Sequence, residues 1–581
     1  MGSIGALIGP AGQTEAALSR ALDRSPHRGE EVAIAAVGDV SLGAAASARG
    51  DAWLHRGVGW SVALAGVVDM FGGIESPANP AESIARAMDD AGPSVLQEAR
   101  GDFACVATDG RRLLAARDHL GTQGLFVGSS GTVAAVMSEP KQVVAALGRS
   151  RRPDLDGLVA AFFGQSESGH EPPSVVEGVD RVPRAAIVEV KPGGWRTIGR
   201  VWDPSALLET ARLSVADAIE SGWSVIEKAV ARMTTANSAV GLSGGIDSTL
   251  IAAAARERGR PGAMSAVFPQ APSVDESTFI EATAKYLDIE VTTYAPNRDR
   301  LDRLDMWVDR FDGPTYGVAI GPVSEMNDRT AAAGYDTLLG GELAELVYDM
   351  REFALAGMLT RGRMGPLAEH MKGLRASGVK AGSIARLLVA GLVPARMGQA
   401  YTRRFRPPWL PAAWLDQSFM AGLEDRWAMG RPAGRRWADI QLLYATGPSY
   451  PGLEITTVMG DTAGVRTRRP LTDRDVWEFF LSLPPEIKFP DANTKSLVRM
   501  ILAGRAPDEV VWRTDKTVFD EDSLTRAEYP FLMGRLGDGF RLPGVDYPEL
   551  IRSLEARSMS MWELSMARIL ASIHSFITVA P

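Results

Sequence analysis

The sequence predicts an α/β protein in two parts: a β-rich N-terminal domain over 1–205 and a parallel-sheet domain with helical additions over 206–581. Three observations carry this. Short apolar runs punctuated by Gly, Asp and Ser fill the first 200 residues. Between 238 and 345 strand-like and helix-like runs alternate, the pattern of a parallel sheet covered on both faces. The first strand-to-helix corner of that alternation reads GLSGGIDSTLIAAAA (241–255), a ligand-binding position in open α/β sheets.

In the first part the strand candidates are EVAIAAVG, WSVALAGVVDM, DFACVATD, RLLAARD, TVAAVMS and AAIVEVKPGG, with helical stretches near 80–99 and 139–147. RVWDPSAL (200–207) reads as a linker, and SVADAIESGWSVIEKAVARM as a long helix after it. Then come SAVGLS and TLIAAAARE, MSAVFP and ESTFIEATAKYL, EVTTYAP and a helix at 300–310, TLLGG and ELAELVYDMREF. Beyond 345 the chain reads as mostly helical, without repeats or low-complexity tracts.

Composition narrows the function. The net charge of -9 argues against a general nucleic-acid binder, which needs a basic surface. A single cysteine, Cys105, excludes an intrachain disulfide and a cysteine-based metal site, and fits a reducing cytoplasm. None of the six histidines pairs at metal-ligand spacing. The N-terminus lacks the pattern of a signal peptide, and no apolar run reaches the ~18 residues of a membrane span. The stretch 351–410 holds 11 basic and 2 acidic residues, either a solvated helical face or a landing surface for an acidic peptide or protein.

The 241–255 corner is an anion cradle in composition. Gly244 and Gly245 let the backbone turn and aim N–H groups outward, Ser243 and Ser248 add hydroxyls, and the next helix offers its N-terminus. An ordinary turn uses the same residues, but the six-position S-G-G-x-D-S run in a strand-to-helix context is more specific. It has no Walker lysine. Its aspartate, Asp247, suits Mg²⁺, a hard cation that takes oxygen ligands beside phosphates.

These motifs resemble the asparagine-synthetase-like ATP pyrophosphatases, which make an acyl-adenylate and couple it to an amine. Their S-G-G-x-D-S binds pyrophosphate, matching Ser243, Gly244, Gly245, Asp247 and Ser248. Their L-L-S-G-E-G-A-D-E is matched by LLGGELAEL (338–346), with Gly341 and Glu342 kept and Glu345 standing where the family has a Mg²⁺-holding aspartate. SVDEST (273–278), RTRRPLTDRDVWEFFLSLPPEIK (466–488) and WRTDKTVF (512–519) extend the match; the last brings Lys516 to the position of a family lysine. HRGEE (27–31) and GDFACVATDGRRLLAARDHLGTQGLFV (101–127) resemble the family's glutamine-amidotransferase domain.

The resemblance implies an Ntn-hydrolase-like, glutaminase-like β-sandwich in front of a PP-loop ATP pyrophosphatase domain, with ATP and Mg²⁺ as cofactors. It implies that Asp247 and Glu345 hold Mg²⁺, and that Lys516 stabilises developing negative charge on phosphate and carbonyl oxygens. Glu342 is the candidate base for the amine, and Val240, Leu242, Val267 and Gly341 line the adenine and ribose site. A glutaminase of this type needs an N-terminal cysteine whose amine serves its own thiol. Gly2 follows Met1 here and Cys105 lies in a core strand, so the domain is expected to be a shell without glutaminase activity.

The amine then comes from the substrate itself, as in β-lactam synthetases and lasso-peptide cyclases. Length, the basic insertion and the RTDKTVF and PLTDRDVWEFFLSLPPE runs favour a lasso cyclase acting on a core peptide. A leader peptidase or leader-binding protein is an expected partner; nucleic acid and membrane are not. The alternatives are closure of a small amino acid derivative or a non-catalytic nucleotide- or peptide-binding scaffold. A tRNA-modifying relative is disfavoured by the acidic charge and the amidotransferase-like front half.

Overall fold

A computed structural model of the protein describes residues 2–579 apart from 11, 48, 164–170, 172, 258, 260, 393–411, 417, 420–435, 448 and 515–527. The first half is a sandwich of two antiparallel sheets. One sheet runs, edge to edge, Val179–Arg181, Phe126–Ser130, Val133–Met137, Ser3–Ile8, Val40–Ala46 and Glu31–Val37. The other runs Gly194–Arg200, Ala186–Lys191, Leu113–Arg117, Arg100–Thr108, Ser61–Phe71 and Ala52–His55, with Ile74–Glu75 folded back on Ser61–Phe71.

Both faces of the central strands are dry. Along Ser61–Phe71, Ala63 and Ala65 face the other sheet, while Val62 and Leu64 pack under helix Pro80–Ala91. This explains why VALAGVV shows no polar alternation. Helices Thr14–Leu22 and Pro140–Ala146 cover the outer face of the first sheet. The layers are helix, sheet, sheet, helix.

The second half carries five parallel strands in the order Val291–Tyr294, Gly262–Ala266, Ser238–Gly241, Thr337–Leu339 and Arg466–Arg468. Helix Val215–Met233 leads in, started by a capping box between Ser214 and Asp217. The order of the sheet reverses at Ser238–Gly241: the next two strands in the chain are laid down on one side of it and the last two on the other. The S-G-G-x-D-S corner sits at that switch point.

The first half holds helices Thr14–Leu22 and Leu155–Phe163 beyond the two stretches expected there, and strands such as Ser3–Ile8 and Val40–Ala46 beyond the strand candidates. Two later segments also depart from the sequence reading. Residues 200–207 are no loose linker: Val201 and Trp202 are each 1% exposed, and Trp202 donates from Nε1 to Glu478 at 2.9 Å. The mostly helical region past 345 returns to the sheet as Arg466–Arg468, a strand too short and too charged to show an apolar pattern. Helices Arg351–Thr360, Met364–Ala376, Ala381–Leu392, Trp437–Thr446 and Pro451–Thr462 lie between it and its neighbour.

The halves share a core. One apolar cluster runs from Leu18 and Met137 through Phe162 and Trp307 to Leu570 and Phe576 of the last helix, Met561–Val579. Glu454 accepts hydrogen bonds across the junction from Arg117 at 2.5 Å and from Arg181. No helix among the described residues is long and apolar enough to cross a membrane.

Candidate active site

Strand Ser238–Gly241 delivers the chain into the Ser243–Ser248 loop, and helix Ile246–Arg256 leaves it. Gly244 has φ +71°, a conformation open to glycine, and a Cβ there would lie 3.0 Å from the Cβ of Phe279. The Ser248 hydroxyl donates to the Gly245 carbonyl at 3.1 Å and accepts from the Ser243 N–H at 3.1 Å, which braces the loop. The helix has no side-chain cap. Its first N–H groups therefore remain for an anion at the positive end of the dipole.

Asp247 stands in the first turn of that helix with two donors on its carboxylate. The Tyr348 hydroxyl donates to Oδ1 at 2.6 Å, and the Lys495 ammonium to Oδ2 at 2.5 Å. Burial, with Asp247, Glu345 and Asp349 nearby, drives the Tyr348 phenol well above its ordinary range, so it is a fixed donor. Lys495 has φ +54° and its N–H donates to Asp349 at 3.1 Å. This lysine was not singled out from the sequence. The run around it, NTKSLVRM, carries no motif of the kind quoted above, and 248 residues separate Lys495 from Asp247.

The Gly340–Glu345 turn closes over the same helix. A Cβ on Gly341 would meet the Cβ of Asp247 at 3.0 Å, so glycine permits the approach. Glu342 is 47% exposed, with Oε2 3.3 Å from Nε of buried Arg469, an ion contact with the rest of its carboxylate free for solvent or substrate. Arg469 is fixed by Thr456 at 2.7 Å. Behind the turn, buried Lys488 donates to the Val347 carbonyl at 2.9 Å and to Gln441 at 3.1 Å. Burial pulls its ammonium down to about 7.

The structure thus brings Asp247, Gly341 and the Ser243–Ser248 loop together, and places Glu345 close enough to act on Tyr348. Val240 and Leu242 are buried in the core and Val267 packs on its edge, so the first two present only backbone to a nucleotide. Lys516 lies outside the described residues. Arg513, three positions before it, pairs with Glu276 at 2.7 Å and covers the Phe279 ring, both beside Gly244. No group of three or more His, Cys, Asp or Glu that could hold a metal occurs among the described residues. Asp247 and Glu345 are the carboxylates that would hold a Mg²⁺, a cation that takes oxygen ligands.

The one cysteine of the sequence lies in the first half. Cys105 is 1% exposed in strand Arg100–Thr108, and burial pushes its thiol up to about 12. His27 pairs with Glu139 at 2.9 Å in a structural cluster with Arg28. Arg468 of the five-stranded parallel sheet crosses the junction to Asp69 and lies 3.2 Å from Asp102.

Fold and site define a nucleotide-dependent ligase joined to an amidotransferase-like sandwich. The model for asparagine synthase matches residues 223–539, and that for a glutamine amidotransferase domain matches 76–202. The chain belongs to the asparagine synthase family, ATP-dependent amide-forming ligases that use ATP and Mg²⁺. No curated protein matches the chain. Among solved structures, the allosteric regulatory enzyme of purine biosynthesis is 13% identical over 52% of this chain and 81% of its own, with a TM-score of 0.26. Glutamine phosphoribosylpyrophosphate amidotransferase from B. subtilis, complexed with ADP and GMP, is 14% identical over 52% and 82%, again with a TM-score of 0.26. Neither likeness bears on fold or activity.

Proposed function

We propose that the protein is a macrolactam synthetase of the lasso-peptide cyclase kind. It activates an Asp or Glu side chain of a core peptide with ATP and closes a ring with the peptide's own α-amine. The observation that carries this is the pairing of an assembled ligase site with a first half whose only thiol is buried and whose junction with the ligase is filled by Arg468. With no ammonia source in the first half, an amine inside the substrate is the simplest nucleophile.

The substrate carboxylate attacks the α-phosphorus and pyrophosphate leaves. The Ser243–Ser248 loop and the N-terminus of helix Ile246–Arg256 receive the departing charge. Lys495, now on Asp247, can exchange that carboxylate for a phosphate oxygen. Asp247 and Glu345 would hold Mg²⁺, which would supply charge neutralisation at the phosphates. Lys516 stabilises the same charge and later the tetrahedral oxyanion. The amine then attacks the acyl carbon, passes its proton to Glu342, and AMP leaves. Arg469 keeps the Glu342 carboxylate in place for this.

Arg361 and Arg363 pair with Glu486, and Arg361 also with Glu209, so part of the basic stretch is structural. Lys372, Arg375, Lys380 and Arg386 remain exposed, a basic face for an acidic leader segment or a leader-binding protein.

The test is mass spectrometry of a leader-free candidate peptide with the protein, Mg²⁺ and ATP, with AMP followed in parallel. Loss of one water with AMP release, both abolished by Asp247→Ala, supports the reading. AMP without a change in the peptide keeps the adenylation and overturns the choice of acceptor. Neither product, with a processing protease present, overturns the catalytic reading.

A further inference from the structure

The junction between the halves holds a buried charge cluster that the ligase chemistry does not use. Strands Ser61–Phe71 and Arg100–Thr108 pair residue for residue until Val68, opposite Gly101; the next pair is Met70 with Arg100. Asp69 is the extra residue of a β-bulge. Bulges turn a side chain out of the ladder's regular alternation. Gly101 makes the close packing possible: its φ is +136°, and a Cβ there would lie 2.2 Å from the Val67 carbonyl. Asp69 is 2% exposed, and Asp102 comes from the adjoining strand.

The guanidinium of Arg468 enters between the two carboxylates, bonded to Asp69 and 3.2 Å from Asp102. Arg468 is 3% exposed. Burial raises Asp69 to about 6, more than Arg468 lowers it, while the two carboxylates hold the guanidinium charged. The other end of Arg468 matters equally. Its backbone carbonyl accepts the Gly340 N–H at 2.8 Å, at the point where strand Thr337–Leu339 becomes the Gly340–Glu345 turn. The next residue, Gly341, is the one packed on Asp247. A continuous line of contacts therefore runs from the bulge of the first half to Asp247.

We propose that the amidotransferase-like half serves as the frame for the ligase turn, and that Asp69, Asp102 and Arg468 are positioning residues that set Gly340–Glu345. This rests on that turn belonging to the ligase site, not on which amine it uses. A bare scaffold role would stabilise the whole molecule evenly. A positioning role concentrates its effect on one turn.

The experiment is hydrogen exchange of the full-length protein, read by mass spectrometry, for Asp69→Asn, Arg468→Lys and, as a control at the same junction, Arg100→Ala, which loses a partly exposed contact to Asp475. It needs no substrate, so it fails separately from the ring-closure assay. Asp69→Asn is expected to speed exchange at 340–345 at least tenfold while 241–249 stays within twofold. Arg468→Lys, which keeps a cation there, gives an intermediate effect, and Arg100→Ala none. Unchanged exchange at 340–345 in folded Asp69→Asn, or a rise spread evenly over both halves, overturns the proposal. If Asp69→Asn does not fold, Asp102→Asn, with a side chain 15% exposed, is read in the same way.

Discussion

Gly341→Ala is the sharpest perturbation of the ligase site. The added methyl lies 3.0 Å from the Asp247 Cβ, 3.6 Å from its carbonyl carbon and 3.8 Å from Ile251. Ordinary carbon contacts need 3.4–4 Å, so helix or turn must yield by several tenths of an ångström. The first turn of the helix is firmly held, with Ser248, Thr249, Leu250 and Ile251 all buried. Overpacking of this size costs about 1–3 kcal/mol. The strain falls where Asp247 meets its ligands, and a misplacement approaching 1 Å costs roughly 10²-fold in function. Binding of Mg²⁺-pyrophosphate, read by calorimetry, is therefore expected to weaken between about 10- and 100-fold, equivalent to ~1.4–2.8 kcal/mol. Gly340→Ala is the comparison. Its Cβ would meet the Glu342 carboxylate at 2.7 Å, the free end of a flexible side chain, so it displaces Glu342 and leaves pyrophosphate affinity alone. Unchanged pyrophosphate binding in a folded Gly341→Ala protein, alongside loss in Asp247→Ala, refutes the reasoning.

Three further outcomes follow from other parts of the molecule. Lys488 titrates near 7 when folded against 10.5 as its ordinary value, so the unfolded chain binds the extra proton between those limits and stability rises with pH across them. Between pH 7 and 9 the wild type gains about 2–3 kcal/mol relative to Lys488→Met, visible as a diverging melting temperature; parallel curves would exclude a buried, depressed ammonium. Cys105 resists iodoacetamide at pH 8 in the native protein and reacts in strong denaturant, since its thiol is buried and held near 12. Glu454→Gln leaves Arg117 and Arg181 buried against a neutral amide and lowers stability by about 3–5 kcal/mol in urea titrations.

What could be read from the sequence was chemistry at short, fixed spacing. Ser243 to Ser248 span one corner, and the corner works because its residues are adjacent. Strands such as Ser61–Phe71 announced themselves through continuous apolar runs, since both their faces are covered. Lys495 was invisible because its relation to Asp247 is made by the sheet and the intervening helices, not by spacing. Arg466–Arg468 hid for a different reason: Arg468 finds its partners in the other half, so a buried position has the composition of a loop. The 200–207 segment misled in the same way. Its Pro and Asp suggest a tether, but Trp202 wedges against His119 and Trp477 at ring distances of 5.4 and 6.2 Å.

The Asp69–Arg468 contact also sets a timetable for synthesis. Its partners are 399 residues apart. At about 5–20 residues per second, the nascent first half waits roughly 20–80 s for its guanidinium. Over that interval Asp69 and Asp102 stand at the bulge without the cation that joins them in the finished fold. Closing the junction therefore waits for the last strand of the parallel sheet, and the arrival of one guanidinium marks the moment at which the front of the chain is committed to its back.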